Sequence, residues 1–582
     1  MSGRYQQSGR GRLEDAAVVS DLDSGFAGVD MRLDPGLLPS GVCSAGVNLV
    51  FRQGVAEPRR GFQTRPWAQL LGVSFPISFP FDFTEELGFG TVYGAGVFSD
   101  PNGQEWAVLA CETTAYQISW DGPAQALRYP SGVTVTDRVT FTQAFNVLLM
   151  WRGEGLDPLA VSTGTSFGEE IRFELVPDET NGDYTSTIPD AARGLHYGNR
   201  VWVGYRGSKV AYSDVLAYTR WDGALSSIYV NDGSDDRLQV LVAYGTNAIL
   251  AFKDQSIFAI TGVLPSPGDT GAVQVVTNER GTIAPESVVQ VGNDVWFLSD
   301  DGVYAISQAL EGTLRAASEP VSAPMGPLFQ RVHWGHAHKA VGTFHDGRYL
   351  LALPIDGAAH NNAIAVYDFQ NQGWAGWWEF DLLDAAWFVR LTVGGRRRLA
   401  VVSGTAISGN EGAVYVLGDD FMDESFGTES AVETELVTRG YLCGSNGQKV
   451  FIGAAVEVAT WYGAGEISAV RDGVNEEADA QTFAKDRTVY ATFDKGPYVE
   501  SNENDDHGDP YREDYSVVIP TGGLRLGSGV CLGLHQTSSE RMRVRQRGRH
   551  LQIRVRGTRG RVAVRAVQVD ARAGAEPLRE VY

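Results

Sequence analysis

The strongest candidates for chemistry in this sequence are three closely spaced histidines, His333, His336 and His338 in RVHWGHAHK. Imidazole suits zinc or nickel, and on a strand His336 and His338 would share one face. A structural zinc site shows four clear ligands, however, and no cysteine or carboxylate stands at ligand spacing here. The trio reads as structural or solvated histidines. The acidic run NENDDHGD (502–509) could hold calcium through its oxygens, but it lacks the spaced acids, central glycine and closing glutamate of an EF-hand. It reads as a solvated tip. FLSDDGVYAI (297–306) is a hairpin turn carrying two aspartates. A glycosidase needs two placed carboxylates, and acids abound without a privileged pair. Trp374, Trp377 and Trp378 could stack on a sugar, but tryptophan in sheet strands more often packs a core. No GxSxG, HExxH or P-loop occurs. The expectation is therefore no catalytic, cofactor-binding or metal residue, and no enzyme.

The elements that would position these residues are strands. Glycine is abundant, 69 of 582 residues, without collagen periodicity, and aromatics make up 10%. Both suit many short strands joined by tight turns. Between about residues 90 and 420 a loose unit recurs: an apolar strand, a turn such as Asp-Gly or Gly-Asn, then a second apolar strand with an aromatic. Examples are 106–122, 195–213, 240–262, 287–307, 340–357, 362–380 and 399–420. Such turns tolerate positive φ, and the 40–60 residue spacing is close to one four-stranded propeller blade. Five to seven irregular blades are expected, with a pair of β-sandwiches as the competing architecture.

The flanks differ. Residues 1–62 read as an extended N-terminal arm with one short strand near Val47–Phe51, and 63–425 as the propeller. Residues 426–582 read as a C-terminal β-sandwich, with an acidic exposed loop over 470–515. Alternation over 542–571 predicts an antiparallel hairpin turning at 558–560, its partners in 430–465 and 515–535. The fold class is all-β.

Net charge is −23, which excludes a generic nucleic-acid binder. It does not exclude a conduit along which DNA slides without adhering. Residues 541–582 carry +9, so the preceding 540 carry −32. That polarity suits ends facing different partners. No secretory signal and no apolar run of membrane-spanning length is seen. Cys43, Cys111, Cys443 and Cys531 form no CxxC pair and read as buried or half-buried thiols of a chain made in the cytoplasm.

Four passages, in order, carry a resemblance. They are an Asp-Pro-Gly segment leading through GVNLVFRQGVAEPRRGF (46–62), YGNRVWVGYRGSKVAYSD (197–214) followed by Trp221-Asp222, VGNDVWFLSDDGVYAIS (291–307) and GRHLQIRVRGTRGRVAVRAVQVDA (548–571). From about residue 20 onward the chain resembles the tail nozzle (tail tubular protein B) and tail-stabilising hub proteins of short-tailed double-stranded DNA bacteriophages. The resemblance implies a structural virion protein assembled in the host cytoplasm. It implies a homohexameric ring below the portal and its head-to-tail adaptor, holding tail fibres or spikes, with double-stranded DNA passing transiently through its gated channel. Rigid blades would keep that channel wide enough for a duplex. The competing expectations are a carbohydrate-binding or carbohydrate-cleaving propeller tail protein, and a monomeric cytoplasmic scaffold.

Overall fold

The computed structural model describes the chain from Val18 to Ala573, except residues 65–90, 163–171, 263–271, 405–413, 498–536 and shorter stretches elsewhere. Two compact units are present: residues 60–430, and residues 1–59 together with 431–582.

Residues 60–430 form a β-propeller of seven four-stranded antiparallel blades, five of them separate sheets and two of them parts of larger sheets. Blade 1 runs Val92–Ser99, Glu105–Cys111, Thr114–Ile118, Ala124–Arg128, and blade 2 Thr140–Ala144, Val147–Trp151, Leu159–Ser162, Glu174–Leu175. Blade 3 runs Gly194–Tyr197, Arg200–Tyr205, Lys209–Tyr212, Ser227–Tyr229, and blade 4 Leu238–Tyr244, Ala248–Lys253, Ile257–Thr261, Ala272–Thr277. Blade 5 runs Val289–Val291, Asp294–Leu298, Val303–Gln308, Leu314–Ala316, and blade 6 Val341–His345, Arg348–Leu353, Ala363–Asp368, Gly373–Trp378. Blade 7 has Trp387–Val393, Arg396–Val402 and Val414–Leu417, and takes its fourth strand, Phe62–Thr64, from the other end of the unit.

The blades pack face to face, so their second strands are buried on both sides and read as unbroken apolar runs such as Val147–Trp151. The junctions from blade 7 through blade 1 to blade 5 each have their own core among the described residues. Leu148 and Phe173 meet Val108 and Phe98 between blades 1 and 2, and Trp202 and Ile260 lie between blades 3 and 4. Trp387 and Val402 of blade 7 pack on Leu109 and Ile118 of blade 1, which closes the ring. Burying one such side chain contributes roughly 1.5–3 kcal/mol. Even Lys253 is fully buried: its Nζ donates to Ser208 Oγ and to the carbonyls of Val230 and Asn231, tying blade 4 to blade 3.

The other unit is a β-sandwich woven from both flanks of the propeller sequence. One sheet has the order Thr537–Met542, Lys449–Ala459, Ala563–Ala573, Val55–Pro58, Leu49–Arg52, with Val18–Asp23 also on Ala563–Ala573. The other has Ala45–Val47, Thr434–Val437, Leu551–Gly560, Gly463–Arg471, Val474–Lys485. Phe451, Val567 and Val569 in the first, and Leu436, Ile553 and Val555 in the second, are buried. Residues 18–58, read from sequence as an arm, therefore supply six short strands. Arg439 holds the first of them, Val18–Asp23. Its Nε lies 2.9 Å from Asp23 and its guanidinium 2.7 Å from Asp21.

The hairpin expected at 558–560 is not one. Leu551–Gly560 pairs with 434–437 and 463–471, whereas Ala563–Ala573 pairs in the opposite sheet. Alternation specifies which face is buried, not which strand lies alongside. A register shift opposite Glu457/Val458 also moves the buried phase from Val564 to Val567. The acidic loop expected over 470–515 begins instead as the long hairpin strand Val474–Lys485. The run 502–509 and the 515–535 partner lie outside the described residues. Cys43, Cys111 and Cys443 are buried free thiols, and Cys531 also lies outside the described residues. Among the described residues no helix is long and apolar enough to cross a membrane.

Candidate functional site: the axial mouth of the propeller

Each blade begins with its innermost strand, and the residues just before those strands gather around the axis on one face. Arg138 precedes blade 2, Arg193 blade 3, Arg237 blade 4, Glu286 blade 5, Lys339 blade 6 and Ala386 blade 7. These residues meet across the bore, not only around it. Arg138 reaches the carbonyls of Lys339 and Ala386, each at 3.4 Å, and its guanidinium carbon sits 3.9 Å over the Trp387 ring. In a ring of seven, blade 2 to blade 6 is as far apart as two blades can be. Arg193 Nε donates to Glu286 Oε1 at 2.8 Å, skipping blade 4. A bore spanned by side chains from non-neighbouring blades does not admit a DNA duplex.

The cluster is cationic. Burial pushes the Arg138 guanidinium down to about 10, with Glu286 opposing and Arg193 reinforcing the fall. Burial alone would raise the Glu286 carboxyl, but Arg193, Arg138 and the Arg193 hydrogen bond hold it below its ordinary 4.5. A depressed folded value means that the ionised form is the one stabilised. The contribution is full above pH 4.5 and is lost as pH falls through the folded value. Glu286→Gln should therefore lower the melting temperature at neutral pH, and the difference from the parent chain should shrink steadily below pH 4.5 in a calorimetric pH series. A pH-independent difference would show that the charge of Glu286 contributes nothing.

The histidines flank this mouth but build no metal site. They lie in or beside the 3-10 helix Trp334–Lys339, not on a strand, which removes the shared face expected for His336 and His338. Strand alternation does not apply to a helix of three residues per turn. The His333 and His336 rings are 4.7 Å apart, and His333 Nδ1 lies 3.0 Å from the Ala358 carbonyl. Burial, then Lys339, then neighbouring histidines lower the values of His336 and His338, with Arg138 adding to the latter. Among the described residues no three of His, Cys, Asp and Glu are arranged to hold a metal ion.

The other sequence candidates are engaged elsewhere. Asp300 and Asp301 pair with Arg280 at 3.5 and 3.1 Å, and Asp301 also accepts from the Tyr304 hydroxyl. Trp374, Trp377 and Trp378 are all buried. Trp374 donates to the Val321 carbonyl and Trp377 to Glu379. Sequence reasoning passed over Arg138, Arg193 and Glu286 altogether. They stand 148 positions apart from first to last, with no motif around them, and only ring closure brings them together.

A cavity of about 460 Å³ opens beside this cluster, between the ends of blades 2, 3 and 4. Glu154, Arg193, Tyr205, Arg206, Arg237 and Gln239 are among its lining residues.

No protein-family model matches the sequence, and no curated protein matches it at a significant level. Solved structures do match. Virginiamycin B lyase from Staphylococcus aureus is 12% identical with a TM-score of 0.37, covering 57% of this chain and 97% of that one. The extracellular domain of a one component system from B. thetaiotaomicron is 8% identical with a TM-score of 0.38, covering 72% and 55%. Saccharomyces cerevisiae Sqt1 is 8% identical with a TM-score of 0.36, covering 57% and 97%. These values carry no statement about activity, and the propeller assignment stands on the strand pairings themselves.

Proposed function

We propose that the chain is a structural component of a short phage tail, a nozzle or hub that assembles as a ring and catalyses nothing. The observation that carries this reading is the architecture: a propeller whose sequence is inserted between the two flanks that together make a β-sandwich. The four resembling passages lie in both units. Residues 46–62 run from the sandwich to the strand that closes blade 7. Residues 197–214 and 291–307 are the hairpins of blades 3 and 5, and 548–571 spans both sandwich sheets. Because the propeller bore is bridged, the conduit in this reading runs between copies of the chain. Exposed Arg541, Arg543, Arg547 and Arg549, alternating with buried Met542, Val544, Gln546 and Gly548 along a sheet edge, suit contact with an acidic neighbouring copy or adaptor.

The test is the native mass of the purified chain, alone and with portal–adaptor complex. A hexamer, or a monomer that becomes one on the complex, is expected. A strict monomer or trimer that ignores the complex would overturn the ring reading and favour a carbohydrate-directed propeller.

A further inference from the structure

The cavity beside the axial mouth concentrates positive charge in a chain whose net charge is −23. Three arginines line it, against Glu154 as the lining acid. Arg193 is held by Glu286. Arg206 and Arg237 are exposed, and among the described residues neither is paired with a carboxylate. Their positions are nonetheless built. Arg206 occupies a left-handed turn position (φ 51°), with its guanidinium carbon 5.5 Å from the centre of the Tyr205 ring. The next residue, Gly207, accepts a 2.8 Å hydrogen bond from the Leu238 amide, which fixes that turn against the start of blade 4. Arg237 is anchored through its own amide, 3.2 Å from Asp254 Oδ2. Both guanidinium groups thus come from fixed backbone, and among the described residues neither has a carboxylate partner.

Guanidinium forks match planar or tetrahedral oxyanions, and about 460 Å³ lies within the range of small-molecule sites. We infer that this cavity binds a small organic anion, its carboxylate or phosphate group held between Arg206 and Arg237 with Arg193 behind, and its neutral body filling the remaining volume. The inference does not rest on the ring reading: the cavity is formed within a single chain.

The test is isothermal titration of the full chain with glucuronate, glucose 6-phosphate, glucose and inorganic phosphate. Saturable binding of at least one acidic sugar is expected, with no binding of glucose. The preferred acidic sugar tells carboxylate from phosphate. Arg206→Gln and Arg237→Gln should each weaken binding about tenfold or more, and the double variant should abolish it. Arg397→Gln in blade 7, remote in sequence from the cavity, should leave affinity unchanged. Melting curves of each variant, unchanged from the parent, exclude misfolding as the cause. Failure of both acidic sugars to bind would overturn the inference. So would equal binding by glucose, equal binding by inorganic phosphate (a bare anion spot that ignores the cavity), or full affinity in the double variant.

Discussion

Replacing Arg439 by alanine should bring the melting of the sandwich forward by on the order of ten degrees while leaving the propeller transition in place. Asp23 is only 1% exposed, and Arg439 meets it with bonds of 2.9 and 3.0 Å from a single nitrogen. Asp21 takes a second nitrogen at 2.7 Å. Removing the guanidinium strands a buried carboxylate, which typically costs about 3–5 kcal/mol. The pair joins residues 416 positions apart, so its loss leaves the strand Val18–Asp23 held chiefly by its ladder with Ala563–Ala573. Removing both partners should cost less than the sum of the two single changes, because the stranded charge goes with them. Scanning calorimetry reads both units in one experiment. A shift below one or two degrees would mean that this link is worth no more than an exposed ion pair.

Trp151→Ala should have a comparable effect on the other unit, about 3–5 kcal/mol. The indole is 1% exposed at the junction of blades 2 and 3. It lies so close to Gly194 that a Cβ there would come within 2.4 Å of it. Its Nε1 donates to Thr142 Oγ1 at 3.0 Å, and that hydroxyl donates to the Gly194 carbonyl at 2.7 Å. Alanine leaves both a void and a broken relay from blade to blade. Phenylalanine should recover most of the packing but not the relay, giving an intermediate melting temperature. If alanine and phenylalanine melt together, the hydrogen bonds rather than the volume hold this junction.

The all-β class, the propeller and the C-terminal sandwich were legible because their signals are local. Gly198-Asn199, Gly292-Asn293 and Asp346-Gly347 mark hairpins of blades 3, 5 and 6, each with positive φ where a side chain is least penalised. Blade 2 gave no such signal. Its first turn is Phe145-Asn146, and Phe145 adopts φ +57° with no sequence signature of a turn. The fourth strand of blade 7 was invisible for a different reason. Phe62–Thr64 pairs with Val414–Leu417, some 350 residues away, and pattern alone does not encode a partner. The axial cluster failed to show on the same grounds. Arg138, Arg193 and Glu286 each sit in an unremarkable connection, and only closing the ring brings them face to face. The histidines misled because period-two reasoning was applied to a segment that winds as a 3-10 helix.

The weave of the sandwich also sets a schedule for synthesis. Strand Ala563–Ala573 lies between Lys449–Ala459 and the early strands Val18–Asp23 and Val55–Pro58, so it is central to its sheet and yet made after all of them. The propeller is complete once residue 417 has joined Phe62–Thr64, long before that strand leaves the ribosome. On a growing chain, a finished propeller therefore coexists with an N-terminal segment that still lacks its partner. A surface built on the sandwich can be completed only after the propeller's last strand has been made, in an order written into the strand sequence.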